Sequence, residues 1–263
     1  MPTETFAGNL GEIRGGTSTG VALSTTAAFI PVPAATKVLF LTPRNFVTGV
    51  VARVGLCPHV AVLKTVDSGA TAPTDYTTEA QDGDAATSVT LSSQGTAAQG
   101  DFLYVGSSRK FRGVNIDVDS ANGNASVLTV KYWNGTAWAD ITATDGTVST
   151  GFSMAVDGSV TWTVPTAWAK ASLRKIGDFA VSAPFTGNDY FWTRWEFSAA
   201  LDASTTLDHM IALPETTNYL ELVANQQFET SFQFGPDGFS SVIALTDAGT
   251  ANLVAGYGSA GRF

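Results

Sequence analysis

Two histidines, one cysteine and a few closely spaced carboxylates are the residues of this chain whose types could carry chemistry. A nucleophilic triad needs a base, usually histidine. His59 follows Pro58 between two apolar runs, and His209 lies within Leu207-Asp208-His209-Met210-Ile211, which reads as a strand. Neither sits near a Gly-x-Ser-x-Gly elbow, so both read as packed or capping residues. Cys57 ends an apolar run and reads as a buried thiol. Pro58 breaks the strand spacing that a Cys57–His59 dyad would use.

Asp117 and Asp119 share one strand face, about 7 Å apart at the rise of an extended chain. Paired carboxylates hydrolyse glycosides, but no polar-aromatic cleft signature surrounds this pair. With Asn122 and Asn124 they offer the oxygen ligands that calcium takes. Asp82-Gly83-Asp84 is a shorter set of the same kind, and neither follows the EF-hand loop. Two solvated carboxylates on a sheet face are the plainer account of Asp117 and Asp119. Gly15-Gly16-Thr17-Ser18-Thr19-Gly20 lacks the lysine and the strand–helix context of a phosphate loop.

Two groups suit contact rather than catalysis. Arg109, Lys110 and Arg112 form a basic cluster that could touch an acidic partner. Trp133 and Trp138, with Tyr132, flank a hairpin turn, and exposed rings of this kind bind sugars. Tyr132 and Trp133 point to opposite sides of a strand, so at least one belongs to a core. The residues therefore predict a protein without catalytic residues or a cofactor. Calcium is a weak candidate ligand, and Arg109, Lys110, Arg112, Trp133 and Trp138 are the contact candidates.

The elements that must position these side chains are strands. The chain has 263 residues, of which 44% are hydrophobic and only 14% charged, against roughly 25% charged in ordinary domains. Its 26 glycines and 10 prolines suit many short strands and tight turns. A net charge of −9 argues against nucleic acid as a partner. No run approaches the ~20 apolar residues of a membrane span, and the first residues lack the basic-then-apolar pattern of a secretory signal.

Strands are predicted over 28–33, 38–41, 50–56 and 60–66, the first as an edge strand because each proline removes a ladder donor. The polar, acidic stretch over 68–88 reads as a long surface loop. Further strands are predicted over 88–91, 102–105, 114–118, 127–133, 138–141, 160–164, 190–197 and 207–213, followed by 219–223, 227–234 and 241–245. Val114-Asn115-Ile116-Asp117-Val118-Asp119 alternates at every step, the mark of a half-buried strand. Asn122-Gly123, Asn134-Gly135, Asp145-Gly146 and Asp157-Gly158 supply hairpin turns. A short helical turn is expected over 167–173. Extended arms are expected before Val21 and after Thr246, ordered only in an assembly.

All six tryptophans lie between Trp133 and Trp195, which points to a unit whose core is built on large rings. The sequence thus predicts an all-β protein, an antiparallel β-sandwich or jelly roll with a second, smaller β unit. The expected divisions are 1–87 with its arm, the Trp-rich domain 88–214, and a C-terminal segment 215–263. The segments 38–67 and 219–247 share an order of strand, polar break before a phenylalanine (Phe46 or Phe228), strand, proline turn, and strand ending in aspartate. That likeness allows the two ends to form one unit with the Trp-rich domain inserted between them. Three successive β segments remain the alternative.

The order of aromatics in the Trp-rich part resembles a module of tailed-bacteriophage virion proteins. It is carried by YWNGTAWADI (132–141), Asp145-Gly146-Thr147, VTWTVP (160–165), Trp168 and YFWTRWEFSAAL (190–201). The likeness spans roughly 102–213, and IPVPAATKVLFL and RNFVTGVV look more loosely like phage structural proteins. The resemblance implies a jelly roll or sandwich in a particle shell or tail, with no enzymatic residues to carry over. It leaves open a capsid decoration protein, a fibre base or a tail component; the favoured expectation is a capsid decoration, or cement, protein, made in the host cytoplasm and resident in the virion. Its partners would be itself, as a homotrimer, and the major capsid protein or other virion proteins. The rival expectation is a tail or fibre adhesin binding host-surface glycans; a glycoside-active enzyme using Asp117 or Asp119 is a more distant one.

Overall fold

Short alternating segments bounded by turn residues have one stable outcome in water: they pair into sheets and bury one face of each. The computed structural model describes residues 10–11, 20–32, 36, 38–45, 49–66, 71–178, 183–223, 226, 228–230, 235 and 238–258. Among these, the chain separates into two units, one built from both ends (1–57 and 217–263) and one from 58–216.

The unit of the two ends contains β1 (Leu10–Gly11), β2 (Val21–Leu23), β3 (Ala28–Pro31), β4 (Val38–Arg44) and β5 (Ala52–Pro58) from the N-terminal part. From the C-terminal part it takes β17 (Leu220–Leu222), β18 (Phe228–Thr230), β19 (Phe239–Thr246) and β20 (Ala251–Gly258). One sheet runs β1-β20-β4-β18, with β2 also on β20; the other runs β17-β5-β19-β3. Leu23, Leu39, Leu41, Leu253 and Ala255 of the first sheet meet Ile30, Ala52, Val54, Leu222, Val242 and Ala244 of the second in one core. As expected, the proline-bearing β3 is an edge strand.

The expected C-terminal arm is a different object. Ala251–Gly258 is β20, paired along its length with β4 from Asn252↔Arg44 to Gly258↔Val38. Its Leu253 and Ala255 enter the core between the two sheets. Leu10–Gly11 pairs with it too. The remaining arm residues, 1–9, 12–19 and 259–263, and the strand residues expected over 231–234, lie outside the described residues.

The internal likeness has a partial counterpart in the pairing. Of the matched strands, β4 pairs with β18 while β17 pairs with β5, a reciprocal exchange. The third matched element breaks the relation, because β6 (Ala61–Lys64) joins the sheet of the other unit.

That other unit holds β6 and β7 (Thr74–Asp75), β8 (Val89–Thr90), β9 (Leu103–Ser107), β10 (Phe111–Ser120), β11 (Leu128–Trp133) and β12 (Trp138–Ile141). It continues with β13 (Thr144–Asp145), β14 (Gly158–Thr161), β15 (Phe191–Phe197) and β16 (Thr206–Pro214). A six-stranded sheet, β12-β11-β15-β9-β6-β7, faces a five-stranded one, β13-β14-β10-β16-β8. The core between them joins Val62, Leu103, Val105, Val130, Trp195 and Phe197 to Val89, Val114, Ile116, Val160, Leu207, Met210 and Ala212. Both units are antiparallel β-sandwiches.

Three expectations need correction here. The boundary drawn at 87 moves to 57, because β6 pairs with β9 through Ala61↔Gly106 to Lys64↔Leu103. Of the stretch read as a surface loop, 68–70 lie outside the described residues, and the part from Thr74 to Ala80 is bound to that sheet: β7 pairs with β6, the Thr77 hydroxyl accepts the Val62 amide at 3.1 Å, and Ala80 is wholly buried. No helix forms over 167–173. The Trp168 amide donates to the Pro165 carbonyl, and Ala171 then bridges to Tyr190.

Of the four turn signals, Asn134-Gly135 closes a hairpin, between β11 and β12, with Gly135 at φ 101. Asn122-Gly123 instead follows a strand of one sheet and precedes a strand of the other. Asp145-Gly146 and Asp157-Gly158 bracket the loop between the paired strands β13 and β14.

Candidate functional site

Strand β15 shows how alternation builds a site. Trp195 and Phe197 enter the core between the sheets, while Trp192, Arg194 and Glu196 point to the other face. On that outer face a second cluster forms from Ala61, Leu63, Tyr104, Leu173, Tyr190 and Trp192, with Phe102, Trp138, Ile176 and Phe185 packed against it. Residues 171–178 and 183–190 therefore lie over the six-stranded sheet as a third layer.

Asp178 ties this layer down. Its carboxylate accepts the Tyr104 hydroxyl at 2.5 Å and the Trp138 indole N–H at 3.0 Å, and lies 3.8 Å from the Arg194 guanidinium. Burial, reinforced by the Asp178 charge, pushes the Tyr104 phenol far above its ordinary value, so it stays a neutral donor. Arg194 is sandwiched between the Phe102 ring at 4.4 Å and the Trp138 ring at 5.0 Å. It also pairs with Glu196 at 2.8 Å, and Glu196 in turn takes Lys131 at 3.0 Å. A half-buried guanidinium between two rings and two carboxylates is a fastening arrangement. No side chain in it is placed as a nucleophile next to a base.

The contact candidates flank this network. Trp133 and Trp138 are cross-strand partners on the edge hairpin, with rings 5.7 Å apart and edge-to-face. Tyr132 points the other way and packs against the inter-sheet core near Trp168. Lys110 lies 5.6 Å and Lys170 5.2 Å from the centroid of the Phe191 ring, and Lys110 Nζ also reaches the Pro165 carbonyl. Arg109 is exposed and Arg112 half-buried, so the basic cluster spans the turn into β10 and its first residues.

On the five-stranded sheet, Asp117 and His209 are register partners, with Oδ2 3.6 Å from Nδ1. His209 Nε2 also lies 3.4 Å from Asn115 Oδ1. Burial pulls the imidazole below its ordinary value, against the opposing pull of Asp117, Asp208 and Asp157. Burial likewise raises Asp117, against the pull of His209. Asp119 accepts the Thr206 hydroxyl at 2.7 Å.

The calcium set does not survive at Asn122. The residue is 2% exposed; Oδ1 accepts the amides of Asn124 and Asp202, and Nδ2 donates to the carbonyls of Asn124 and Ser153. Both lone pairs of that oxygen are used, leaving nothing for a cation. Asn124 Nδ2 donates to Ala200 O. Asp82 and Asp84 cap their own turn through Asp84 N, Thr87 Oγ1 and Ala86 N. Among the described residues no group of three or more His, Cys, Asp or Glu could hold a metal ion. Cys57 is fully buried, and His59 Nε2 faces the Gln81 amide at 3.4 Å.

Sequence reasoning missed the Asp178–Tyr104–Arg194–Glu196 network. The period-2 spacing of Trp192, Arg194 and Glu196 was the available signal, since it places a charge pair beside a tryptophan on one face. Asp178 carried none, being brought in by a loop. Set beside known proteins, the chain matches no family model, no curated protein and no solved structure.

Proposed function

We propose that this chain is a non-enzymatic structural component of a tailed-bacteriophage particle, a capsid decoration protein that stabilises the head. The observation that carries the reading is where the polar side chains go. Asp178 fastens a covering layer, Asn122 and Asp202 close loops, and Arg194 locks rings against a sheet. These groups serve rigidity, which a cement protein needs. The acidic balance limits adhesion to packaged nucleic acid. In this reading the protein acts as a homotrimer on the major capsid protein, in the virion. The test is co-sedimentation of the purified protein with empty phage heads. Saturable binding at a constant ratio to the major capsid subunit, with a rise in capsid melting temperature, is the expected result. Absence of binding to heads overturns it.

One observation favours a second reading, a tail or fibre adhesin for host-surface glycans. Trp133 and Trp138 stand half-buried on an edge hairpin, where two rings could stack on a sugar. That reading expects a tryptophan fluorescence change with host polysaccharide that is lost in Trp133→Ala.

A further inference from the structure

Two Asn-Gly steps occur in this chain, and the structure treats them in opposite ways. In such a step the backbone nitrogen of the glycine can attack the asparagine side-chain carbonyl carbon. The new N–C bond closes a five-membered succinimide. The bond to the side-chain nitrogen breaks, and that nitrogen leaves as ammonia, taking up the proton that the glycine amide gave to water. A water molecule then opens the ring at either carbonyl, leaving aspartate or isoaspartate. The step needs a glycine N–H and a leaving nitrogen that no acceptor holds, and donors for the oxygen on which negative charge develops.

Asn122-Gly123 offers none of this freedom. The Gly123 amide donates to the Asp202 carboxylate. The leaving nitrogen of the buried Asn122 is held as well, donating to the carbonyls of Asn124 and Ser153. Reaction there requires these bonds to open together.

Asn134-Gly135 is the reverse. It stands at the tip of the β11–β12 hairpin, where Gly135 is exposed. Among the described residues no acceptor takes the Gly135 N–H, and no acceptor takes Asn134 Nδ2, the leaving nitrogen. Three donors converge on Asn134 Oδ1: the amides of Thr136 and Ala137 and the Thr136 hydroxyl, each at 2.9 Å. They face the atom that becomes the oxyanion. Gly135 has the added freedom of its positive φ, at which a side chain would be strained.

We propose that Asn134 is a self-modification site, converting through a succinimide to aspartate and isoaspartate in the folded protein, while Asn122 is protected by its hydrogen bonds. The product sets a new carboxylate, and in the isoaspartyl form an extra backbone carbon, beside Trp133 and Trp138. The inference stands apart from any role in a particle.

The test is ageing of the full-length protein at mildly alkaline pH, folded and in concentrated urea. Peptide mass spectrometry follows the exchange of NH2 for OH at each site, and an isoaspartate-specific methyltransferase serves as reagent for the iso product. In the folded protein, conversion at Asn134 is expected to run on the order of a hundredfold faster than at Asn122. Urea should bring the two sites to similar rates by releasing Asn122. Thr136→Val, which removes one of the three donors, should slow Asn134 in the folded protein alone; Asn134→Gln should abolish the product there. Equal rates at both sites in the folded protein, or an Asn134 that stays intact until urea is added, overturns the proposal.

Discussion

The two units solve one packing problem with different side chains. The unit of the chain ends closes its sheets on Leu, Ile, Val and Ala, with Phe228 and Phe239 at the margin of the core. The unit of 58–216 fills the same space with Trp162, Trp168, Trp195, Phe111 and Phe197 among its aliphatic residues. Rings need acceptors for their N–H groups, and the fold supplies them. Trp162 donates to Phe111 O, Trp168 to Trp192 O, Trp195 to Thr193 Oγ1 and Trp138 to Asp178. Trp192 is fully buried, and among the described residues its N–H finds no acceptor. The lesson is that large rings bring both burial and direction. An aliphatic core asks only for volume, whereas the ring-built core specifies partners and supports a further layer on the outside of its sheet.

The contrast can be broken most forcefully at the two core centres. Trp195→Ala should cost about 3–5 kcal/mol and Leu253→Ala about 2–5 kcal/mol in urea denaturation. The two report differently, since every tryptophan lies in 58–216. Intrinsic fluorescence should follow the first loss and miss local damage from the second, which far-UV circular dichroism should detect. If fluorescence reports Leu253→Ala as strongly as Trp195→Ala, the two cores do not behave as separate units.

A smaller effect should come from the place where a ring meets backbone. Gly106 and Trp192 are cross-strand partners, and a methyl at Gly106 would run into the Trp192 ring. Gly106→Ala should therefore destabilise by about 1–3 kcal/mol, and near-ultraviolet circular dichroism should show a displaced tryptophan. An unchanged spectrum with full stability would mean that the ring does not rest on this glycine.

The ionic networks differ in the same sense. Arg194 is packed between rings and paired with Glu196, so Arg194→Ala should cost about 1–3 kcal/mol. Arg53 pairs with Glu221 in the open at 3.2 Å, with both side chains well exposed, and Arg53→Ala should cost under about 1 kcal/mol. Equal losses would remove the distinction between a fastened and a solvated pair.

The smallest effect is tied to pH. Amides of Gly123 and Ser204, with hydroxyls of Ser204 and Thr205, hold the Asp202 carboxyl down from 3.8 to about 2. A depressed carboxyl contributes stability above its unfolded value, and the contribution is lost as pH falls through the folded one. The stability gap between the parent and Asp202→Asn should therefore be full at pH 5 and above, and shrink as pH drops from about 4 to about 2. A gap that widens on acidification would contradict the assignment.

Much of the architecture was legible because strand alternation is local. Trp138–Ile141 was read to the residue, and Phe191–Phe197, Leu128–Trp133 and Thr206–Pro214 to within one or two residues at either end. The opposite facing of Trp192 and Trp195 followed from period two alone. Ala251–Gly258 was misread because small residues lower the apolar signal, although it pairs along its length with β4. The described part of the 68–88 stretch, 71–88, was misread because a polar segment can still be held by side-chain hydrogen bonds such as that from Val60 N to Gln81 Oε1.

The sequence by itself determined the class: all-β, acidic, with rings gathered in one part of the chain and an Asn-Gly hairpin between Trp133 and Trp138. These are properties of composition and of near neighbours along the chain. Only the tertiary structure decided that Ala61–Lys64 belongs with the Trp-rich strands, that Asp178 meets Tyr104 and Arg194, and that Asn122 is consumed by Ser153 and Asp202. Each of those contacts joins residues far apart in sequence. Their formation depends on which sheet edges and loops come together when the cores close, and local periodicity holds no record of that choice.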